Sequence, residues 1–228
     1  MDWMPRRPEP ETMADRAEAE AYAAADFAEV NQAFVTRLCD RAGDRANTQA
    51  VDLGTGPGDI PIRLARARPS WHVVAVDSSP AMLALARKKV SACPDRQTLD
   101  RSIEFVLADG KATGLPDRSF DVVFSNSILH HITATDRLWA EVKRLGRPRA
   151  YVLFRDLARP RDEAAARRVV DTYAADESAT LREEYYCSLL AAYTPDEVRR
   201  QLDRAGLPTL RVQMVSDRHM DVFGTLPE

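Results

Sequence analysis

Between residues 50 and 154 the sequence carries five short apolar runs, with segments of helical spacing between them. The runs are Ala50-Val51-Asp52-Leu53, His72-Val73-Val74-Ala75-Val76, Ile103 to Leu107, Phe120-Asp121-Val122-Val123-Phe124 and Tyr151-Val152-Leu153-Phe154. Continuous apolar strands are covered on both faces, and strands buried that way belong to parallel sheets flanked by helices. The intervening segments fit. Ile60, Ile62 and Leu64 follow the first run. Ser79-Pro80 supplies an N-cap and a first-turn proline for a helix with Met82, Ala86 and Val90 at i, i+4 and i+8. Leu138, Val142 and Leu145 mark a helix over about 135 to 145.

The flanks read differently. Residues 1 to 11 are polar, hold three prolines and predict a disordered or draped arm. Thr12 to about Val30 predicts a helix, and Asn31 to Ala42 a second one with Phe34, Val35 and Leu38 on one side, ended by Gly43. Beyond a polar link over Arg155 to Pro160, residues 161 to 193 predict one or two helices. Thr194-Pro195-Asp196-Glu197 is a capping box that opens a helix to about Ala205, stopped by Gly206. Two last strands near Leu210 to Val215 and His219 to Phe223 pair around Ser216 to Arg218. The expected fold is α/β: a doubly wound, mostly parallel seven-stranded sheet with an antiparallel C-terminal strand pair and a small helical cap. Its segments are an N-terminal arm and cap helices (1–44), the core (45–160), a helical cap insertion (161–193) and a C-terminal helix and strand pair (194–228).

At 228 residues the chain suits one domain with small additions, large enough for a core without disulfides or metals. Its 32 basic residues stand against 35 acidic ones, for a net charge of -3, which argues against a large nucleic-acid footprint. No apolar run approaches the roughly 18 to 20 residues of a membrane span, and the N-terminus lacks the apolar stretch of a secretory signal. Cys39, Cys93 and Cys187 are odd in number and form no C-x-x-C pair, so a reduced, cytoplasmic chain is expected. The histidines, His72, His130, His131 and His219, show no zinc-site spacing, and no metal is expected.

Chemistry concentrates at Val51-Asp52-Leu53-Gly54-Thr55-Gly56-Pro57-Gly58, the first strand-to-helix turn. Glycines there allow a sharp turn and let a ligand approach the main chain with no Cβ in the way. The spacing departs from the dinucleotide G-x-G-x-x-G, and the G-K-[ST] of a P-loop is absent, so the turn suits a nucleoside better than a pyrophosphate. Asp77 ends the second strand, where a carboxylate accepts both hydroxyls of a ribose. Ala108-Asp109-Gly110 follows the third strand, where an acceptor can meet an adenine amino group. Asp52, Asp77 and Asp109 thus lie at the carboxyl ends of adjacent strands, where open α/β sheets bind ligands.

With VDLGTGPG, VVAVDSSPAML, LADG and LPDRSFDVVFSNSILHH in order, residues 45 to 160 resemble the class I S-adenosylmethionine (SAM)-dependent methyltransferases. The resemblance implies SAM as cofactor. Gly54, Thr55, Gly56 and Gly58 would lie along its methionine part, Asp52 under its amino group, and Asp77 with Ser78 at its ribose. Met82 would pack near the adenine, Asp109 and Gly110 would meet its edge, and Asn126 would stand beside the amino-acid end and the sulfonium. Tyr22 lies on a helix of the kind that closes over SAM in this family, although a plain core or surface place fits it as well.

For the acceptor side the resemblance offers His130, since a histidine after strand four faces the substrate in some members; packing in the following helix fits it equally. Asp156 is either a base or the partner of Arg155 or Arg159. Tyr185 and Tyr186 are neighbours on a helix, so at most one points squarely into a pocket. A small aromatic cap suits a small-molecule acceptor, with the protein a monomer or homodimer. Ser125-Asn126-Ser127-Ile128 lacks the D/N-P-P-[YFW] of adenine-flipping nucleic-acid methyltransferases. The expected reaction is in-line methyl transfer. The alternatives are a cyclase of the same fold making azetidine-2-carboxylate and methylthioadenosine from SAM alone, and a SAM-binding module without catalysis.

Overall fold

The computed structural model of the chain describes residues 3–10, 16–25, 27–43 and 46–228. Seven strands form one sheet in the order β3-β2-β1-β4-β5-β7-β6. β1 (Gln49–Leu53), β2 (His72–Asp77), β3 (Ile103–Leu107), β4 (Phe120–Asn126) and β5 (Gly146–Leu157) run parallel. β7 (His219–Thr225) pairs antiparallel with β5 and with β6 (Arg211–Met214). The chain winds from β1 outward to β3, then returns across β1 to β4. The strand order therefore reverses between β1 and β4, and a crevice opens at their carboxyl ends.

Alternate residues of each strand feed opposite faces, as a period of two requires. Val51, Leu53 and Val74 pack with Leu138, Trp139, Val142 and Leu145 of α6 (Thr135–Leu145) and Val198 and Leu202 of α9 (Pro195–Ala205). Ala50, Val73 and Val122 join Phe34, Val35 and Leu38 of α2 (Ala28–Ala42) and Ile60 and Leu64 of α3 (Asp59–Ala67). Each large apolar side chain fully buried this way contributes about 1.5–3 kcal/mol. Among the described residues no helix is long and apolar enough to cross a membrane.

Several expectations are corrected. The first helix is short, α1 (Arg16–Ala24), and α2 begins at Ala28 rather than Asn31; Thr12 to Asp15 lie outside the described residues. α4 (Pro80–Ser91) is capped by Ser79 as expected, but α5 (Arg96–Ser102) was not foreseen, because Leu99 is its one large buried side chain and leaves no periodicity to read. β5 is far longer than Tyr151 to Phe154, and Asp156 lies inside it. Arg155 is tolerated there because Asp221 stands opposite on β7 and accepts from its guanidinium at 2.7 and 3.0 Å. Arg159 binds Glu197 at 2.6 Å, so Asp156 pairs with neither arginine. The cap is two helices, α7 (Glu163–Tyr173) and α8 (Ala179–Ala191).

Candidate active site

The first turn builds the site from the sheet outward. Gly54, Gly56 and Gly58 all have positive φ, at 77°, 56° and 78°. Their reasons differ. A Cβ on Gly54 would meet Ile128 Cδ1 at 2.8 Å, and one on Gly58 would meet Ala86 Cβ of α4 at 2.8 Å. A Cβ on Gly56 would meet nothing within 4 Å, because that residue faces open cavity. Gly58 is therefore a helix-packing glycine and does not line the cavity, in contrast to the expectation from the sequence.

The cavity at the switch point has a volume of about 560 Å³, within the range of small-molecule sites. The turn end is walled by Asp52, Gly54, Thr55, Gly56, Asp77, Ser78, Met82, Asp109, Gly110, Asn126 and Tyr22. Asp52 is 1% exposed, and its Oδ2 has no hydrogen-bond partner among the described residues. Burial pushes its carboxyl up to about 7, and Asp77 adds to that. An unpartnered buried carboxylate oxygen beside a glycine with open clearance suits an ammonium-bearing ligand. Asp77 accepts the N–H of Gly56 at 2.7 Å and of Ser79 at 2.8 Å, so its carboxylate is held by the turn it faces. Burial raises its pKa as well. Asp109 makes a local turn, accepting the N–H of Lys111 at 2.9 Å and pairing with its ammonium at 3.0 Å. Asn126 ends β4, with its amide 3.5 Å from Asn31 of α2. Burial pushes the Tyr22 hydroxyl up to about 12.

The other end is walled by the cap and by the segment after β4. Ser127 adopts a φ of 67° and turns the chain back, its N–H bound to Arg155 O at 2.8 Å. That turn sets His130 and His131 on the wall. Asp156 stands behind it and accepts from Leu129 N at 2.6 Å and Leu157 N at 2.7 Å; its Oδ1 lies 2.6 Å from His130 Nδ1. Burial works against a charge on His130, but Asp156, helped by Glu9, holds its pKa above the usual value. Tyr185 lines the cavity, and burial pushes its hydroxyl up to about 12. Tyr186 does not: it packs among Leu157, Val170 and Leu189, with the Arg167 guanidinium 3.4 Å from its ring centroid.

Sequence reasoning passed over Asn31, Ile128, Ser127, Arg218 and the arm residue Glu9. The strained Ser127 had no signal at all, and Glu9 sits in a segment whose composition predicted a disordered or draped arm. Residues 3–10 take the draped alternative and lie over the cap, with Met4 N–H bound to Arg161 O at 3.1 Å and Arg7 N–H to Leu190 O at 3.0 Å. Glu9, His130 and His131 bring three potential ligand atoms within 4.8 Å of one another. One of the three, His131 Nδ1, is also turned toward the Pro10 carbonyl at 3.3 Å, which marks it as a hydrogen-bond donor.

A reversed strand order at a glycine turn, with carboxylates at three successive strand ends, forms the ligand crevice of an open α/β sheet, and residues 51–154 are similar to the family described as "Methyltransferase domain". That match spans 104 of the 228 residues. The chain is 32% identical over 126 residues to a ubiquinone/menaquinone biosynthesis C-methyltransferase of Hahella chejuensis, covering 53% of this chain and 47% of that one. It thus spans about half the length of that curated relative. A SAM-dependent methyltransferase from Aquifex aeolicus has the same fold, with a TM-score of 0.65 at 19% identity over 93% of this chain and 98% of that one. The [4+2]-cyclase SpnF shares the fold too, with a TM-score of 0.64 at 13% identity over 100% and 99%.

Proposed function

We propose that the protein transfers the SAM methyl group to a small-molecule acceptor held under the α7–α8 cap. The observation that carries this reading is one continuous cavity, with the glycine turn and Asp52 at one end and two imidazoles and Tyr185 at the other. The cofactor supplies a methyl carbon activated by a sulfonium. Gly56 gives it clearance beside Gly54 and Thr55, Asp52 receives its ammonium, and Asp77 with Ser78 holds the ribose hydroxyls. Met82 packs on the adenine, Asp109 and Gly110 meet its edge, Asn126 stands at the amino-acid end, and Tyr22 covers it. Tyr185 and His130, the latter anchored by Asp156, orient the acceptor and exclude water. The protein acts in the cytoplasm, as a monomer or homodimer. The Hahella relative's quinone-pathway name agrees with a small acceptor.

The test is to incubate the pure protein with SAM alone, then with a panel of small hydroxyl, thiol and acidic-carbon compounds. S-adenosylhomocysteine formed only with an acceptor is the expected result. Methylthioadenosine formed without any acceptor would replace this reading by ring closure within SAM.

The cap gives a second check. Truncation of Tyr185 removes a contact at the reacting end worth about 0.5–2 kcal/mol, so Tyr185→Ala is expected to lower turnover roughly 2- to 30-fold with SAM affinity nearly unchanged. Tyr186→Ala leaves a void in the cap core and is expected to cost about 3–5 kcal/mol of stability, read as a lower Tm. Equal turnover losses in both variants, tracking Tm, would remove Tyr185 from the site.

A further inference from the structure

Side chains of successive residues ordinarily diverge, yet the rings of His130 and His131 lie side by side, with centroids 4.1 Å apart and planes 36° apart. The turn that aligns them is closed by the N–H groups of His131 and Ile132, bound to Ile128 O and Leu129 O at 3.1 Å each. The N-terminal arm then brings one carboxylate oxygen to both rings. Glu9 Oε1 lies 3.4 Å from His130 Nε2 and 3.0 Å from His131 Nδ1. His130 is buried and the other two residues are half-buried. Lone pairs of three such atoms repel one another in a dry corner unless protons or a cation stand among them.

We propose that Glu9 Oε1, His130 Nε2 and His131 Nδ1 form a site for a divalent first-row transition cation of the zinc type. The proposal does not rest on the methyl-transfer reading. Three observations favour a metal over protons alone. The first is spacing: bonds of about 2.0–2.2 Å at tetrahedral to octahedral angles set ligand atoms about 2.9–3.5 Å apart, and Glu9 Oε1 meets the two nitrogens at 3.4 and 3.0 Å. The second is the shell behind the ligands. Asp156 Oδ1 lies 2.6 Å from His130 Nδ1, which fixes the proton there and leaves the lone pair on Nε2, the arrangement that orients a metal-binding imidazole. Ser188 Oγ donates to Glu9 Oε1 at 3.2 Å and so holds the carboxylate. The third is the donor set. Two imidazoles and one carboxylate suit zinc and its first-row neighbours, whereas magnesium and calcium take oxygen ligands.

Three protein ligands leave a coordination position for water or an anionic ligand. Both histidines wall the cavity, so that position opens to it. Without a cation, His131 Nδ1 donates to the Pro10 carbonyl at 3.3 Å; coordination moves that proton to Nε2 and keeps the ring neutral. The cation would also tie the arm to the turn after β4. The arm is already set there by the Arg6 guanidinium, which binds His130 O at 2.7 Å and stacks 4.2 Å from the Tyr193 ring centroid.

The test uses the full chain, stripped with a chelator and titrated with Zn(II) alone and with Co(II) alone. A single class of site is expected, with the visible spectrum of Co(II) held by nitrogen and oxygen. A thiolate charge-transfer band would place the metal on a cysteine and overturn the proposal. Glu9→Gln and His131→Gln should each weaken Zn(II) binding by about 100-fold or more, beyond the roughly 10- to 100-fold typical of an outer partner. His72→Gln, on β2 and outside the cluster, should bind as the parent does. Parent-like affinity in both cluster variants overturns the site. If a variant fails to fold, ring-nitrogen spectra of the labelled parent decide: Zn(II) should shift His130 Nε2 and His131 Nδ1 and leave His72 and His219 in place. Shifts at other nitrogens instead, or no saturable binding of either ion, overturn it. No arm of the test contains SAM or an acceptor, so a failure of the methyl-transfer reading leaves these results untouched.

Discussion

Replacing Asp77 with alanine is expected to weaken SAM binding by about ten- to a hundredfold. A carboxylate bridging two hydroxyls makes charge-assisted hydrogen bonds of about 1.5–3 kcal/mol, and each 1.4 kcal/mol is about tenfold in affinity. The structure adds a second reason. Asp77 also anchors the Gly56 and Ser79 N–H groups, so its loss loosens the turn that shapes the cavity. Asp77→Asn keeps one acceptor oxygen and should fall between. Calorimetry with SAM decides it: parent-like affinity in both variants would put the ribose elsewhere. A Tm measured alongside separates lost contact from lost fold, since Asp77 is only partly covered whereas Asp52 is fully buried.

Asp156→Ala is expected to cost the most stability of any change at the site. The side chain is 2% exposed and serves two short backbone N–H bonds and the His130 ring. Its removal strands those groups in the interior, a loss of about 3–5 kcal/mol. For a domain of this size that lowers Tm by roughly 6–20 °C. The pH dependence should change with it. Because Asp156 holds His130 above its ordinary pKa, the pair's contribution is complete below about 6.5, the value in an unfolded chain, and fades as pH rises through the higher folded value. In Asp156→Ala that decline should flatten. A variant with the parent's Tm and the parent's pH profile would mean that the carboxylate is not what orients His130.

Residues 50 to 160 were legible because apolar runs and glycine spacing are local signals. Val51 and Val74 announce buried strands wherever they are placed, and Gly56 announces a turn needing positive φ and clearance. The switch point followed from the order of those strands. Other features had no local signature. β5 extends through Arg155 and Asp156, residues that look like loop, because Asp221 arrives from β7 to neutralise the one and His130 meets the other. Gly58 looked like a ligand glycine and serves α4 packing, a distinction that depends on where Ala86 falls. Tyr185 and Tyr186 differ by one helical step, and only the packing of α8 decides which reaches the cavity.

The class of fold and the glycine-turn end of the cavity were thus written in short-range pattern: periodicity, strand-end carboxylates and a glycine turn act over a few residues and need no partner to be recognised. The end of the cavity under the cap was decided by tertiary structure alone. There Glu9, His130, Asp156 and Tyr185 come from an arm, a turn, a strand and a helix far apart in the chain. What each imidazole nitrogen does depends on which oxygens those distant segments bring within about 3 Å, a matter of packing that no local spacing encodes.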